Sequence, residues 1–165
     1  YVGTMSKVMF SGLRVGYMVV PEDLIDVFLA LRRSIDSHSP AVPEAALADF
    51  INEGYLAAHI RRMRLLYDAR QKTLVRLLKE KLGDILHVDA QVSGMHLVAY
   101  LPPEIKDRDI ERAALENGML IRALSGFYNM PTKQTGLILG FAGTPEEKMP
   151  YLVDKLSGII RSKAA

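Results

Sequence analysis

The chain has no cysteine among its 165 residues, which excludes a disulfide framework, a thiolate metal site and a cysteine nucleophile. No apolar run approaches the ~20 residues of a membrane span, and the first residues show no charged segment leading into a signal-type core. A cytoplasmic protein with no membrane partner is therefore the expectation. The four histidines, His38, His59, His87 and His96, are scattered without metal-ligand spacing, so no metal is expected. An excess of one charge is also missing: the net charge is +2, which says little about nucleic acid. One basic stretch, His59, Arg61, Arg62, Arg64, Arg70 and Lys72, is interrupted by Asp68 and followed by Glu80, and reads as a solvated helix face. There is no internal repeat or low-complexity tract.

What is present is enough apolar residue, 49%, to bury a real core. Tyr1 already lies inside a strand-like run, so the chain is expected to be the last part of a longer polypeptide. The run Gly3-Thr4-Met5-Ser6-Lys7-Val8-Met9-Phe10-Ser11-Gly12-Leu13-Arg14-Val15-Gly16-Tyr17 carries the chemistry. Lys7 closes an apolar strand-like segment, where burial would disfavour its ammonium and lower its pKa from ~10.4, leaving an amine able to form a Schiff base. Arg14 offers a planar, permanently charged fork suited to phosphate, with Gly12 and Gly16 permitting close backbone approach. A lysine that traps an aldehyde beside a phosphate anchor points to a phosphorylated aldehyde cofactor.

Ser6-Lys7 followed by Gly12-Leu13-Arg14-Val15-Gly16-Tyr17 resembles the signature of class I/II, fold type I, pyridoxal-phosphate aminotransferases. The resemblance runs nearly the whole length. Ala46 to Ile51, His59 to Arg64, Gly94 to Leu97 and Leu139 to Ala142, in that order, are similar to the aminotransferase-like domain of MocR-type regulators of the GntR family. The resemblance implies that Lys7 attaches pyridoxal 5'-phosphate and that Arg14 binds its phosphate. Ser6 and Thr4 either hydrogen-bond that phosphate or shape the turn. It also implies DNA binding through an N-terminal domain not in this chain, an amine or amino-acid effector, and a homodimer. In the enzymes a strand near the C-terminus carries an arginine that grips the substrate carboxylate, and the matching position here is Ile138. Arg122 either contacts a ligand from a neighbouring strand or turns to solvent, and Phe127 and Tyr128 are candidates for the pocket mouth.

Tyr1 to Thr4 and Val15 to Val20 read as strands, the second of the kind buried on both faces of a parallel sheet. Pro21-Glu22-Asp23 opens a helix with Leu24, Phe28, Leu31 and Ile35 at helical spacing, expected to cover a sheet face. A loop over Asp36 to Pro43 follows, then a helix opened by Pro43 and interrupted at Gly54. A long helix spans Tyr55 to Leu82. Strands at Leu86 to Val88, Met95 to Leu101, Met119 to Leu124 and Leu137 to Ala142 enclose a helix capped by Asp107, and Thr144-Pro145-Glu146-Glu147 has capping-box spacing before a last helix. Pro150 falls where that helix must bend or begin. The fold class is α/β to α+β, in three parts: a large-domain remnant over 1–53, a linking helix over 54–83 and a small α+β lobe over 84–165. The function expected is a pyridoxal-phosphate-sensing effector domain of a regulator. A class I/II aminotransferase is the alternative, and a cofactor-free interaction domain a third reading.

Overall fold

The structure is a computed structural model that describes residues 1–35, 37–130, 132 and 134–164. It divides into two compact units, residues 1–63 and 64–165.

The first unit begins with strands β1 (Val2–Thr4) and β2 (Gly16–Met18), paired antiparallel with Val2 opposite Met18 and Thr4 opposite Gly16. The pairing of β2 with β1 is thus antiparallel, where a strand of a parallel sheet was expected. The chain returns through a local loop with no crossover helix, which permits only antiparallel pairing, and every residue of β2 is exposed. A 3-10 turn over Glu22–Leu24 places both its carboxylates at the positive end of α1 (Ile25–Ile35), behind Pro21. None of the residues on the periodic apolar face of α1 is buried. Asp36, where the loop expected before α2 starts, lies outside the described residues. Helix α2 (Ala41–Asn52) begins ahead of Pro43, leaving the proline in the first turn. It is tolerated there because the first four N–H groups of a helix lack an intrahelical partner. Gly54, at φ +80, supplies the left-handed residue that separates α2 from α3 (Tyr55–Leu82).

The second unit is built on a four-stranded antiparallel sheet in the order β3-β4-β6-β5. Its strands are β3 (His87–Val88), β4 (His96–Leu101), β5 (Arg122–Ala123) and β6 (Thr135–Gly140). Alternation along the strands turns Val88, Leu97, Ala99, Leu101, Leu137 and Leu139 to one face, where all are buried. Leu74, Leu78 and Leu82 of α3, Ile110 and Ala114 of α4 (Asp107–Glu116), and Val153, Leu156 and Ile160 of α5 (Met149–Ala164) complete this core. Each fully buried leucine or isoleucine contributes roughly 1.5–3 kcal/mol relative to exposure. The other face carries His96, Tyr100, Ile138 and Arg122, none of them buried.

Two capping expectations resolve differently from their local pattern. Asp107 is the first residue of α4 and makes no cap hydrogen bond; it is 2% exposed and lies on the same stripe as Ile110 and Ala114. The capping box before α5 is not formed either. A 3-10 turn over Glu146–Lys148 intervenes, with no side-chain cap, and the Glu146 carboxylate accepts from the Thr73 hydroxyl at 2.8 Å. Pro150 then sits in the first turn of α5, so the helix begins there and does not bend.

Candidate functional site

The loop between β1 and β2 holds Ser6, Lys7 and Arg14, with Thr4 at its base. A single tight turn presents Lys7: Met9 N–H donates to Met5 O at 2.9 Å, and Met5 N–H donates to Val15 O at 3.0 Å across the hairpin mouth. Ser6 N–H donates to Thr4 Oγ1 at 3.2 Å. Thr4 therefore does shape the turn, while its own hydroxyl proton stays available to an acceptor. Lys7 is exposed in this chain, so the burial expected from the sequence is not supplied by residues 1–165. A turn at the tip of a two-stranded hairpin has too little around it to desolvate an ammonium.

Arg14 follows the 3-10 turn Ser11–Leu13 with φ 54 and ψ 31, the left-handed conformation normally left to glycine. A non-glycine residue pays roughly 1–2 kcal/mol there, so the local backbone alone favours glycine. Such strain concentrates at functional sites. The glycines meanwhile serve the hairpin itself. A Cβ on Gly3 would fall 2.4 Å from the Tyr17 ring, and one on Gly16 would fall 3.1 Å from the Gly3 carbonyl oxygen. The Tyr1 side chain beside it raises the Tyr17 phenol above its ordinary value.

Residues 3–17 contain two cations, three hydroxyl side chains of serine or threonine, and no carboxylate. Among the described residues neither Lys7 nor Arg14 stands in an ion pair. The loop therefore offers cationic and hydroxyl donors of the kind that hold a phosphate. An open groove of about 1040 Å³ runs between the hairpin and α1, lined by Arg14, Val15, Tyr17, Phe28 and Leu31 among others. Most of what lines it is apolar surface.

Arg122 and Tyr128 belong to the second unit. Register places Arg122 directly opposite Ile138, on the open face of the sheet. Its Nε is 3.2 Å from a Glu111 carboxylate oxygen, so it is already paired. The Tyr128 hydroxyl donates to Gln134 Oε1, and Phe127 is exposed. Sequence reasoning missed two partners. His59 Nε2 lies 3.1 Å from the Val8 carbonyl oxygen, next to Lys7, and nothing local signals a contact across 51 positions. Asp107 accepts from Ser125 N–H at 2.8 Å, Ser125 Oγ at 2.7 Å and Gly136 N–H at 3.2 Å. Its spacing to Ile110 and Ala114 was the available sign.

The family model for aminotransferase class I and II matches residues 1–156. The chain is 42% identical over 157 residues to a probable rhizopine catabolism regulatory protein MocR of Rhizobium meliloti, covering 94% of this chain and 32% of that protein. It is 29% identical over 160 residues to the HTH-type transcriptional regulator YhdI of Bacillus subtilis, covering 94% and 33%. Among solved structures, LysN, the alpha-aminoadipate aminotransferase of Thermus thermophilus complexed with N-(5'-phosphopyridoxyl)-L-leucine, superposes with a TM-score of 0.89 at 21% identity, over 99% of this chain and 42% of that one. That likeness establishes the fold, fold type I. The chain spans about a third of the length of the curated relatives it matches. With its lysine turn, its arginine, the whole of its first unit and most of its second falling within the match, the chain belongs to the class I and II aminotransferase family.

Proposed function

We propose that this chain is the C-terminal part of the aminotransferase-like effector domain of a MocR-type regulator of the GntR family, one that senses pyridoxal phosphate or its adduct with an amine. The observation that carries the reading is the 42% identity to MocR along 94% of the chain. It is supported by a hairpin loop that presents Lys7 and Arg14 and contains no carboxylate of its own. Residues 1–53 belong on this reading to the large lobe, 54–83 to a linking helix and 84–165 to the small lobe. The uncovered apolar face of α1 is the surface that the remainder of the large lobe would bury.

Pyridoxal phosphate, when bound, supplies an aldehyde carbon that accepts amines. Lys7 would hold that carbon, Arg14 would neutralise the phosphate through charge-assisted hydrogen bonds, and the Thr4 and Ser6 hydroxyls would add neutral donors. Ile138 leaves the open sheet face without a cation at that position, and Arg122 is its cross-strand neighbour. An effector carboxylate would have to draw Arg122 away from Glu111. Tyr128 stands with Arg122 as a residue for the effector side. DNA binding belongs to an N-terminal domain, and the assembly is a homodimer. Effector binding repositions the DNA-binding domains only to the extent that it differs between two arrangements.

The test uses the full gene product, with DNA-binding anisotropy measured with and without pyridoxal phosphate and a panel of amines. Cofactor- or amine-dependent affinity, abolished by Lys7→Ala, is expected. DNA binding indifferent to both would overturn the reading. Single-turnover conversion of an amino acid, lost in Lys7→Ala, would move it to an aminotransferase, where Lys7 also carries a proton as general acid and base. The 165-residue chain alone is expected to capture the cofactor weakly or not at all.

A further inference from the structure

Among the described residues, the loop that carries Lys7 has one hydrogen bond from outside its hairpin. Among the described residues, Met5, Ser6, Met9 and Leu13 all donate to partners within residues 1–18. The exception is His59 on α3, whose Nε2 lies 3.1 Å from Val8 O. A carbonyl oxygen only accepts, so Nε2 must carry the proton, which leaves Nδ1 as the second ring position. The ring has an aromatic neighbour: Phe50 of α2 meets it edge-on at 6.5 Å between centroids, and Tyr55 lies tilted against Phe50 at 5.7 Å. His59 is part-buried, and its Nε2 faces the Val8 carbonyl of the turn.

We propose that His59 is a positioning residue for the cofactor lysine, holding the Val8 carbonyl so that the Met5–Met9 turn aims Lys7; the proposal rests on the reading of Lys7 given above. Lysine has a flexible four-carbon stem, so the placement of its amine depends on how firmly its backbone turn is fixed. Exposed loops at hairpin tips are mobile unless tied down. Fixing the turn lowers the ordering cost that cofactor capture would otherwise bear.

The test compares His59→Leu, which removes the donor, with His59→Gln, which keeps an N–H donor, in the full gene product with pyridoxal phosphate as probe. Lys7→Ala is the control. His59→Leu should weaken cofactor capture about fivefold, the equivalent of ~1 kcal/mol for one hydrogen bond, and should shift or broaden the visible absorbance of the bound cofactor. His59→Gln should recover capture to within about twofold on the same scale. Unchanged affinity and spectrum in His59→Leu overturn the positioning role, as does equal loss in both variants, which would assign the effect to ring packing on Phe50. If borohydride fixes no phosphopyridoxyl group on Lys7 of the unaltered protein, the cofactor reading itself fails and this proposal with it. Fixation in the unaltered protein but an indifferent His59→Leu fails this proposal alone.

Discussion

Replacing Arg14 by glycine separates what the backbone wants from what the side chain does. The residue sits at φ 54, so glycine relieves roughly 1–2 kcal/mol of left-handed strain. It also adds freedom to the unfolded chain, which costs about 0.4–1 kcal/mol. Arg14 is exposed, so little packing is lost. The cofactor-free chain should therefore gain about 0.5–1 kcal/mol in urea denaturation. The same substitution removes the guanidinium. A hydrogen bond to a charged group contributes about 1.5–3 kcal/mol, so the full gene product should bind pyridoxal phosphate about tenfold to a hundredfold more weakly. Arg14→Ala is the companion: it should lose binding equally while keeping the strain, and so fall below the glycine variant in stability by up to about 1 kcal/mol. Undiminished cofactor affinity in Arg14→Gly would refute the phosphate role. A glycine variant less stable than the alanine one would refute the strain argument.

Asp107→Ala should destabilise the chain by about 3 kcal/mol, because two backbone N–H groups and a hydroxyl lose a buried anionic acceptor; a loss under about 1 kcal/mol in urea denaturation would show that water replaces it. The Arg161 guanidinium, hydrogen-bonded to Asp84 at 2.9 Å, holds that carboxyl below its ordinary value. A depressed carboxyl contributes stability that is present above the unfolded value of about 3.9 and is lost as pH falls through the folded one. Asp84→Asn should therefore flatten the acid limb of the stability profile and leave the region near neutrality lower than in the unaltered chain. Added salt should shrink the difference, since both side chains are exposed; an acid limb unchanged by the substitution would contradict the assignment.

Much of this protein is written locally. Helical spacing from Tyr55 to Leu82 marks α3 to the residue, because one face of a helix must recur every third or fourth position. Alternation in His96–Leu101 identifies β4 for the same kind of reason, with period two. The lysine and arginine of the hairpin loop stand close in sequence, so they could be paired as one candidate site without coordinates. Other features depend on where distant atoms arrive. The apolar run Val15 to Val20 looks the same whether its neighbour is parallel or antiparallel, and only the path of the loop decides. Asp107 satisfies every local rule for a cap, yet its acceptors are claimed by Ser125 and Gly136 once α4 packs on the sheet. The strain at Arg14 is invisible in sequence because any residue can be written there, and φ is set by the turn that precedes it. His59 is the clearest case: its partner lies 51 positions away, and a hydrogen bond is a contact of about 3 Å. Periodicity and residue type govern interactions whose range is one helical turn or one strand pair; which carbonyl a histidine finds is decided only when the chain has folded.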